Sequence, residues 1–300
     1  MYLRYGENPA QTAALYKEAN GKGIVDFEKL HGKELSFNNF LDLDSAWNIV
    51  REFEEPCVAI IKHTNPCGAA TGKDLSEAYN KAFSCDPVSA FGSIIGLNQT
   101  VDKPTAEQIN NTFVEAIIAP KYTDEALEIL KQKKNIRIIL KPDFFETPKD
   151  KDFKKVTGGF LVQDRDLNDA LPEQIKVVTK KEPNDTEKKD LFLAWKIVKH
   201  VKSNAIVLVK DGMTVGIGAG QMSRIDSVNI SINKSGNNAK GSVLASDAFF
   251  PFRDSVDICA KAGIKAIIQP GGSVKDQDSI DACNEHGISM LITEIRHFKH

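Results

Sequence analysis

The stretch Cys57–Gly72, CVAIIKHTNPCGAATG, carries the strongest local fold signal in this 300-residue sequence. Its opening run, CVAII, is short, continuous and rich in β-branched residues, which is typical of a strand covered on both faces. The run ends on Lys62 and His63, and Asn65-Pro66 follows, where we predict a turn because proline disfavours a helical predecessor. Neighbouring side chains on a strand point to opposite faces, so only such a turn lets Lys62 and His63 reach one site.

Similar runs recur along the chain and alternate with helical patterns. The predicted strands include AFGSIIG, AIVLV, KAIIQ and ISMLIT. The predicted helices are DLSEAYNKAFSC, PTAEQINNTFVEAI, RDSVDICAKAG and DSIDACNEHG, and the last two close on Gly263 and Gly287, the residue type that ends helices in the left-handed conformation. Strands alternating with helices predict the α/β class with mostly parallel sheets.

A charge-rich segment from about Lys131 to Asp190 separates two halves of the sequence. Its lysines and matching acids favour a solvated linker surface. We therefore predict one domain over residues 1–156 and a second over residues 157–300. Each half carries a strand, a loop with small residues, a helix and another strand, with SAFG in the first and DAFF in the second, which indicates a weak internal repeat.

Composition argues against several classes of protein. The 39 Lys and Arg residues against 41 Asp and Glu give a net charge of −2, so no global positive field is available for nucleic acid or an anionic membrane. No apolar run approaches the ~18 residues of a membrane span, and the amino terminus lacks a targeting pattern, which predicts a cytoplasmic location. The five cysteines form no C-x-x-C pair, which predicts reduced thiols and argues against structural zinc.

The pattern H-x-N-P-C at residues 63–67 invites comparison with the zinc nucleobase deaminases. Those enzymes carry H-x-E followed by P-C-x-x-C, whereas here Asn65 replaces the proton-shuttling glutamate and Cys67 has no second cysteine three residues later. Zinc chemistry is therefore disfavoured. On this fragment alone, a surface lysine beside a loop-capping histidine fits as well as a catalytic pair, in which a neighbouring ammonium favours the neutral imidazole that a general base needs.

Four further stretches group side chains where a ligand can bind. VLASDAFFPFRDSVD places three phenylalanines at the end of a predicted strand, where aromatic rings either fill a core or sandwich a flat heterocycle. IIQPGGSVKD is a strand followed by a Gly-rich turn into a helix, a common anion-binding geometry. The tail EIRHFKH and the amino-terminal LRYGENP offer arginines that suit a phosphate, the alternative being charge at a frayed end.

Seven motifs, spread from Leu3 to His300, together resemble one known family, the AICAR formyltransferases. These form the transformylase portion of the bifunctional purine-biosynthesis proteins, where AICAR is 5-aminoimidazole-4-carboxamide ribonucleotide. In chain order the motifs are LRYGENP, GKELSFNNFLDLDSAW, AIIKHTNPCGAA, DPVSAFGSIIGLN, KSNAIVLVKDGMTVGIGAGQMSR, SDAFFPFRDSVDICAKAGIKAIIQPGGS and RHFKH.

The resemblance implies two α/β subdomains of the cytidine-deaminase-like fold without the zinc site. It also implies a homodimer with shared active sites, and formyl transfer from 10-formyltetrahydrofolate to the 5-amino group of AICAR. It implies no catalytic metal, and it leaves a structural potassium open. The cyclohydrolase domain of bifunctional members is not expected in this chain, so we expect coupling to a separate IMP cyclohydrolase.

The resemblance also implies roles for individual residues. The catalytic set is Lys62, His63 and Asn204. The AICAR contacts are Arg4, Tyr5, Gly92, Glu115, Arg296 and His300. The folate contacts are Arg224, Asp247, Ala248, Phe249, Pro251, Phe252 and Ser273.

The chemistry of the substrate agrees with these roles. The 5-amino group of AICAR is conjugated with an imidazole that bears a carboxamide, so it is a poor nucleophile and must lose a proton as the new bond forms. His63 is the expected base, and Lys62 or Asn204 is expected to stabilise the charge on the formyl oxygen. The alternative is a non-catalytic nucleotide-binding module of the same fold, although intact Lys62, His63 and Asn204 argue against it.

Overall fold

A computed structural model describes residues 1–19, 21, 23–142, 150–170 and 172–300. Its helices, in chain order, are α1 (Phe37–Val50), α2 (Leu75–Cys85), α3 (Lys103–Asn110), α4 (Asp124–Leu130), α5 (Asp185–Val198), α6 (Arg224–Ser235), α7 (Asp254–Ala262) and α8 (Asp276–His286). The strands of the amino-terminal part are β1 (Tyr2–Leu3), β2 (Ala13–Ala14), β3 (Glu28–His31), β4 (Cys57–Lys62), β5 (Asn65–Thr71), β6 (Ser93–Leu97), β7 (Thr100–Val101), β8 (Val114–Ala119), β9 (Lys121–Tyr122) and β10 (Arg137–Leu140). The later strands are β11 (Lys151–Val156), β12 (Gly159–Asp164), β13 (Lys176–Val177), β14 (Ile206–Lys210), β15 (Met213–Gly218), β16 (Val243–Ser246), β17 (Ala266–Gln269) and β18 (Ser289–Ile292).

One mixed sheet of twelve strands runs through the part of the chain that the structure describes. Its order is β13-β18-β17-β16-β14-β15-β5-β4-β6-β8-β10-β3. The parallel pairings are β6–β8, β8–β10, β16–β17 and β17–β18, and the remaining pairings are antiparallel. The α/β class is confirmed. The expectation of mostly parallel pairing is wrong, because two tight hairpins occupy the centre of the sheet and a tight hairpin can join only antiparallel strands.

The two halves of the sheet repeat one another. Read outward from the seam between β5 and β15, the order β5-β4-β6-β8-β10-β3 corresponds to β15-β14-β16-β17-β18-β13, with every matching pairing in the same direction. Residues 36–70 align with residues 184–218 without insertion or deletion. Even the register shift of the two hairpins falls at the same place, at Ile60/Ile61 and at Leu208/Val209. The weak repeat in the sequence is thus a repeat of structure.

A shared core joins the halves on one face of the sheet. Trp47 of α1 and Trp195 of α5 occupy matching positions, are 1% and 2% exposed, and belong to one buried cluster with strand residues of both halves. On the other face, α2, α3 and α4 cover the first half, whereas α6, α7 and α8 cover the second, each with its own cluster. Strands β4, β6, β14, β16 and β17 contribute residues to both faces, as the apolar runs predicted.

Two segments depart from the sequence-based prediction. The stretch PTAEQINNTFVEAI is not one helix, because α3 ends at Asn110 and the buried, β-branched run that begins at Val114 forms β8. The charge-rich segment is structured in part, since Ile138 and Ile139 of β10 are fully buried. Residues 143–149 and 171 of that segment lie outside the described residues, and the domain boundary near Thr157 stays a prediction.

Candidate active site

The β4–β5 hairpin carries Lys62 and His63 at its turn. Lys62 pairs with Asn65 across the hairpin, so His63 and Thr64 are the two turn residues, with φ angles of 51° and 62°. Positive φ at both positions characterises the type I′ turn, which matches the twist of paired strands. The turn predicted at Asn65-Pro66 is wrong, because both residues lie in β5. Pro66 is accommodated there because it pairs with Ile61 at the register shift, where a lost ladder hydrogen bond is tolerated.

Neighbouring side chains hold this turn. The backbone N–H of Thr64 donates to Oδ1 of Asp42, on α1, over 2.6 Å. Burial raises the pKa of Asp42, while the Thr64 hydrogen bond and the charges of His63 and Lys62 act in the opposite direction. The carbonyl of His63 accepts from Thr64 Oγ1 at 2.7 Å and from Asn65 Nδ2 at 3.2 Å. The imidazole itself is exposed.

Lys62 contacts the loop that precedes β6. Its Nζ donates to the carbonyls of Phe91 and Gly92, at 2.7 Å and 3.2 Å. Gly92 has a φ of 68°, and a Cβ added there would lie 3.3 Å from that Nζ. Gly92 is therefore close to Lys62, as expected for residues of one site. Glu115 lies on β8, the strand that pairs with β6, and its carboxylate forms an ion pair with Arg137.

Asn204 lies two residues before β14 within a buried polar network. Its Nδ2 donates to the carbonyls of Gln221 at 2.9 Å and Met222 at 3.2 Å, and its Oδ1 accepts from Arg224 Nη2 at 2.7 Å. Arg224 forms an ion pair with Asp247, and these two residues are only 7% and 0% exposed. The amide of Asn204 is thus held from both sides.

A cleft of about 310 Å³ opens between the two halves of the molecule. Lys62 lies on one wall, and Gln221, which accepts from Asn204, lies on the facing wall. Asn65, which also lines the cleft, contacts the second half of the molecule, because its Oδ1 accepts from the backbone N–H of Lys202 at 3.0 Å. The structure therefore brings the Lys62–His63 turn and the segment before β14 to one end of the seam.

Two cysteines, Cys67 and Cys85, also line the cleft. Burial raises their pKa values to about 12 and about 11, so both thiols are protonated at neutral pH and are poor nucleophiles. All five cysteines are unpaired. Among the described residues, no group of three or more His, Cys, Asp or Glu side chains could hold a metal ion. No helix in the described ranges is long and apolar enough to cross a membrane.

Apart from Arg224, which begins α6, the residues predicted on the folate side lie after β16 and β17. Phe252 is 52% exposed, and the ammonium of Lys275 lies 4.5 Å from the centre of its ring. Ser273 accepts through its Oγ from the backbone N–H of the same Lys275, at 3.1 Å. Phe252 therefore contacts the ammonium of Lys275, and Ser273 contacts its backbone. Ala248 is buried, whereas Phe249 and Pro251 are half-buried.

The carboxyl-terminal tail is anchored and not frayed. Lys299 exchanges hydrogen bonds with Ser203, its N–H donating to Oγ at 3.0 Å and its carbonyl accepting from Ser203 N–H at 2.9 Å. The carbonyl of His300 accepts from Lys202 Nζ at 2.8 Å. Arg296 is exposed, with its guanidinium 4.4 Å from the ring centre of Phe298. This places the tail beside the segment that precedes Asn204.

The amino-terminal pair consists of Arg4 and Tyr5. Arg4 is exposed, and its guanidinium lies 5.3 Å from the ring centre of Tyr5. Among the residues that the structure describes, no hydrogen bond or ion pair connects Arg4 to Lys62 or to Arg296. The sequence analysis did not identify the contacts of Asp42 and Asn65. The aspartate at the position of the internal repeat that matches Asp42, Asp190, was an available signal for Asp42.

Comparison with known proteins gives a consistent result. The sequence model of the family described as "AICARFT/IMPCHase bienzyme" matches residues 1–234. A protein of Bacillus subtilis named "Bifunctional purine biosynthesis protein PurH" is 55% identical over 300 residues, which cover 99% of this chain and 59% of that protein. Proteins of the same name from Thermoanaerobacter sp. and Bacillus cereus are 56% and 53% identical, and they too are matched over 99% of this chain. The chain thus spans a little under three fifths of the length of these relatives.

Proposed function

Because the chain belongs to the AICARFT/IMPCHase bienzyme family, we propose that it is an AICAR formyltransferase of purine (IMP) biosynthesis. It transfers the formyl group of 10-formyltetrahydrofolate to the 5-amino group of AICAR, giving formyl-AICAR and tetrahydrofolate. The observation that carries this proposal is the Lys62–His63 turn at the cleft between the halves, beside the segment that holds Asn204.

In this proposal His63 is the general base. Its exposed imidazole on a fixed turn can accept the proton of the weakly nucleophilic amine as that amine attacks, a role worth on the order of 10²–10⁴ in rate. The proton moves to the imidazole as the new C–N bond forms on the formyl carbon. The bond between the formyl carbon and N10 then breaks, N10 takes up the proton from the imidazolium, and tetrahydrofolate leaves.

Lys62 and Asn204 stabilise the charge that develops on the formyl oxygen. An ammonium has three N–H donors, and two of those of Lys62 are directed at backbone carbonyls, which leaves one for the substrate. Asn204 already donates to two carbonyls, so it must share a donor. Removing one such donor typically costs about 10²–10³ in rate.

The remaining predicted residues bind the two substrates. AICAR would be held by Arg4, Tyr5, Gly92, Glu115, Arg296 and His300. The folate would lie along Arg224, Asp247, Ala248, Phe249, Pro251, Phe252 and Ser273. A homodimer with shared active sites is part of the proposal, since none of the contacts described above joins Arg4 to the His63 turn.

The fold and the setting complete the proposal. The repeated strand order supports two subdomains of the cytidine-deaminase-like fold, residues 1–156 and 157–300, which meet at the β5–β15 seam. We place the reaction in the cytoplasm, coupled to a separate IMP cyclohydrolase that removes the product. The chemistry needs no catalytic metal, and a structural potassium is compatible with it.

The deciding experiment mixes the purified chain with AICAR and 10-formyltetrahydrofolate and follows release of tetrahydrofolate. We expect release that requires both substrates and falls by at least about 10²-fold in His63→Ala. His286→Ala is the matched control, because His286 is a surface residue at the end of α8 that pairs with Asp257. AICAR binding without any release, even with added cyclohydrolase, would contradict the proposal and favour a nucleotide-binding module.

A further inference from the structure

The internal repeat contains a second copy of the His63 turn. In the second half, Lys210 ends β14, and Asp211-Gly212 form the turn with φ angles of 54° and 75°. Asp190, on α5, accepts from the N–H groups of Asp211 at 2.9 Å and Gly212 at 2.8 Å. A helix carboxylate therefore holds the hairpin turn in both halves of the molecule.

The two carboxylates are equivalent by sequence position as well as by contact. Asp42 is six residues after Ser36, the N-cap of α1, and Asp190 is six residues after Asn184, the N-cap of α5. Both helices begin with a capping box, so the two aspartates occupy the same position relative to equivalent helix starts. The contact of Asp42 with the turn thus has an equivalent at the matching position of the second half.

The turns differ in the residues that must adopt left-handed backbone conformations. Asp-Gly is a favoured pair for a type I′ turn, because glycine meets no steric penalty there and aspartate tolerates the region. His63-Thr64 lacks glycine, and the β-branched Thr64 at φ 62° is an outlier for its residue type. Backbone strain of this kind persists where surrounding contacts enforce it and concentrates at functional sites.

We propose that Asp42 is a positioning residue for His63, holding the strained turn through the N–H of Thr64 so that the imidazole is presented to the reacting amine. The proposal rests on the function proposed above, since it assigns Asp42 to the same site. Asp42 does not touch substrate in this account. It acts through the backbone of Thr64, at 2.6 Å.

The surroundings of Asp42 agree with a role of this kind. Lys62 and His63 of the hairpin oppose the effect of burial on the pKa of the Asp42 carboxyl. Asp42 itself is half-buried. Its counterpart Asp190 holds a turn that carries no imidazole, which makes Asp190 the natural control.

The test compares Asp42→Ala and Asp42→Asn with Asp190→Ala in the full chain. We expect Asp42→Ala to lower kcat by about 10- to 100-fold with little change in KM for either substrate, because the base is misplaced while the binding residues remain. Asp42→Asn should recover most of kcat, since the amide oxygen can still accept from Thr64. Asp190→Ala should reduce thermal stability and leave kcat close to that of the parent.

A double variant separates positioning from general damage. If Asp42 acts through His63, adding Asp42→Ala to His63→Ala should cause little further loss of kcat, since the two changes remove one function. Equal losses of kcat in Asp42→Ala and Asp190→Ala, or a full additional loss in the double variant, would overturn the proposal.

A second readout does not depend on the reaction. Amide hydrogen exchange of Thr64 should accelerate, and the NMR resonances of the His63 ring should shift, in Asp42→Ala but not in Asp190→Ala. Unchanged exchange and unchanged resonances would overturn the positioning role whether or not the parent is active. If the parent releases no tetrahydrofolate but Asp42→Ala shows the expected changes, Asp42 holds the turn and the proposed formyl transfer is wrong.

Discussion

The guanidinium of Arg224 is buried beside the carboxylate of Asp247, and its second nitrogen donates to Asn204. Breaking a buried ion pair by removing one partner leaves an uncompensated charge, which costs about 3–5 kcal/mol. We therefore expect Arg224→Met to lower the free energy of unfolding by that amount in urea denaturation. It should also lower formyl transfer, because the amide oxygen of Asn204 loses its donor.

Arg253→Met is the control for this prediction. Arg253 bonds to Asp257 and Glu285 on the surface of α7 and α8, where water screens the charges. Its removal should change stability far less than removal of Arg224. Equal effects of the two substitutions would mean that the buried pair has no special role.

At the scale of elements, the ends of α1 and α5 are joined by a buried charged cluster. Oε1 of Glu52 lies 2.8 Å from Nζ of Lys199 and 3.1 Å from Nε2 of His200. Burial lowers the pKa of His200 to about 4, against the opposing effect of its hydrogen bond with Glu52. Burial alone would raise the pKa of Glu52, but His200 and Lys199 lower it to about 2.

These pKa values predict how stability depends on pH. In the unfolded chain His200 has the ordinary histidine pKa of about 6.5, so it binds a proton more readily there than in the folded chain. The free energy of unfolding should therefore fall as pH decreases from about 6.5 to 4. The contribution of Glu52 should be lost below about pH 4.5. We expect urea denaturation to show that His200 lowers the free energy of unfolding by roughly 2–3 kcal/mol over this pH range. In His200→Asn this part of the pH dependence should be absent. An equal slope in parent and variant would contradict the prediction.

Elements with a strong local signal were predictable from sequence. The helices α7 and α8 end where Gly263 and Gly287 adopt left-handed conformations, as expected from the glycine positions. The position of the turn after β4 was not predictable in this way, because the register shift that admits Pro66 into β5 depends on pairing with Ile61. The helix predicted through Val114 failed for a related reason, since burial between two neighbouring strands determined the conformation there.

The same distinction applies to the candidate site. Lys62 and His63 could be located from sequence because they end an apolar run, where open α/β sheets place their ligands. Sequence alone could not predict the contact of Asp42 with Thr64 or that of Asn65 with Lys202. Each contact joins residues that are distant in sequence and that helix and sheet packing brings together. Whether Lys62, His63 and Asn204 carry out the reaction stays a prediction.

At the scale of the whole molecule, the proposed active site spans the seam between the two halves. Strands β5 and β15 pair there, and the hydroxyl of Thr214 accepts from the N–H of Ala69 at 2.9 Å and donates to its carbonyl at 3.1 Å. Together with the core that contains Trp47 and Trp195, this contact joins the half that carries His63 to the half that carries Asn204. We infer that the halves unfold as one cooperative unit.

Thr214→Val tests the seam, because it keeps the shape of the side chain and leaves both polar groups of Ala69 without their partner. We expect the free energy of unfolding to fall by about 2–4 kcal/mol. Thr105→Val is the control. Thr105 is equally buried, but its hydroxyl has no hydrogen-bond partner among the described residues, so this change should be neutral or stabilising.

The two tryptophans of the sequence, one in each half, report whether the unit is cooperative. In the single-tryptophan variants Trp47→Phe and Trp195→Phe, fluorescence follows one half at a time, and each variant should show the same denaturation midpoint by fluorescence as by circular dichroism. Thr214→Val should lower both midpoints together, since the loss at the seam is shared by the entire sheet. A midpoint by fluorescence that departs from the one by circular dichroism would mean that each half folds by itself, and the alignment of His63 with Asn204 would then depend on contacts other than the β5–β15 seam.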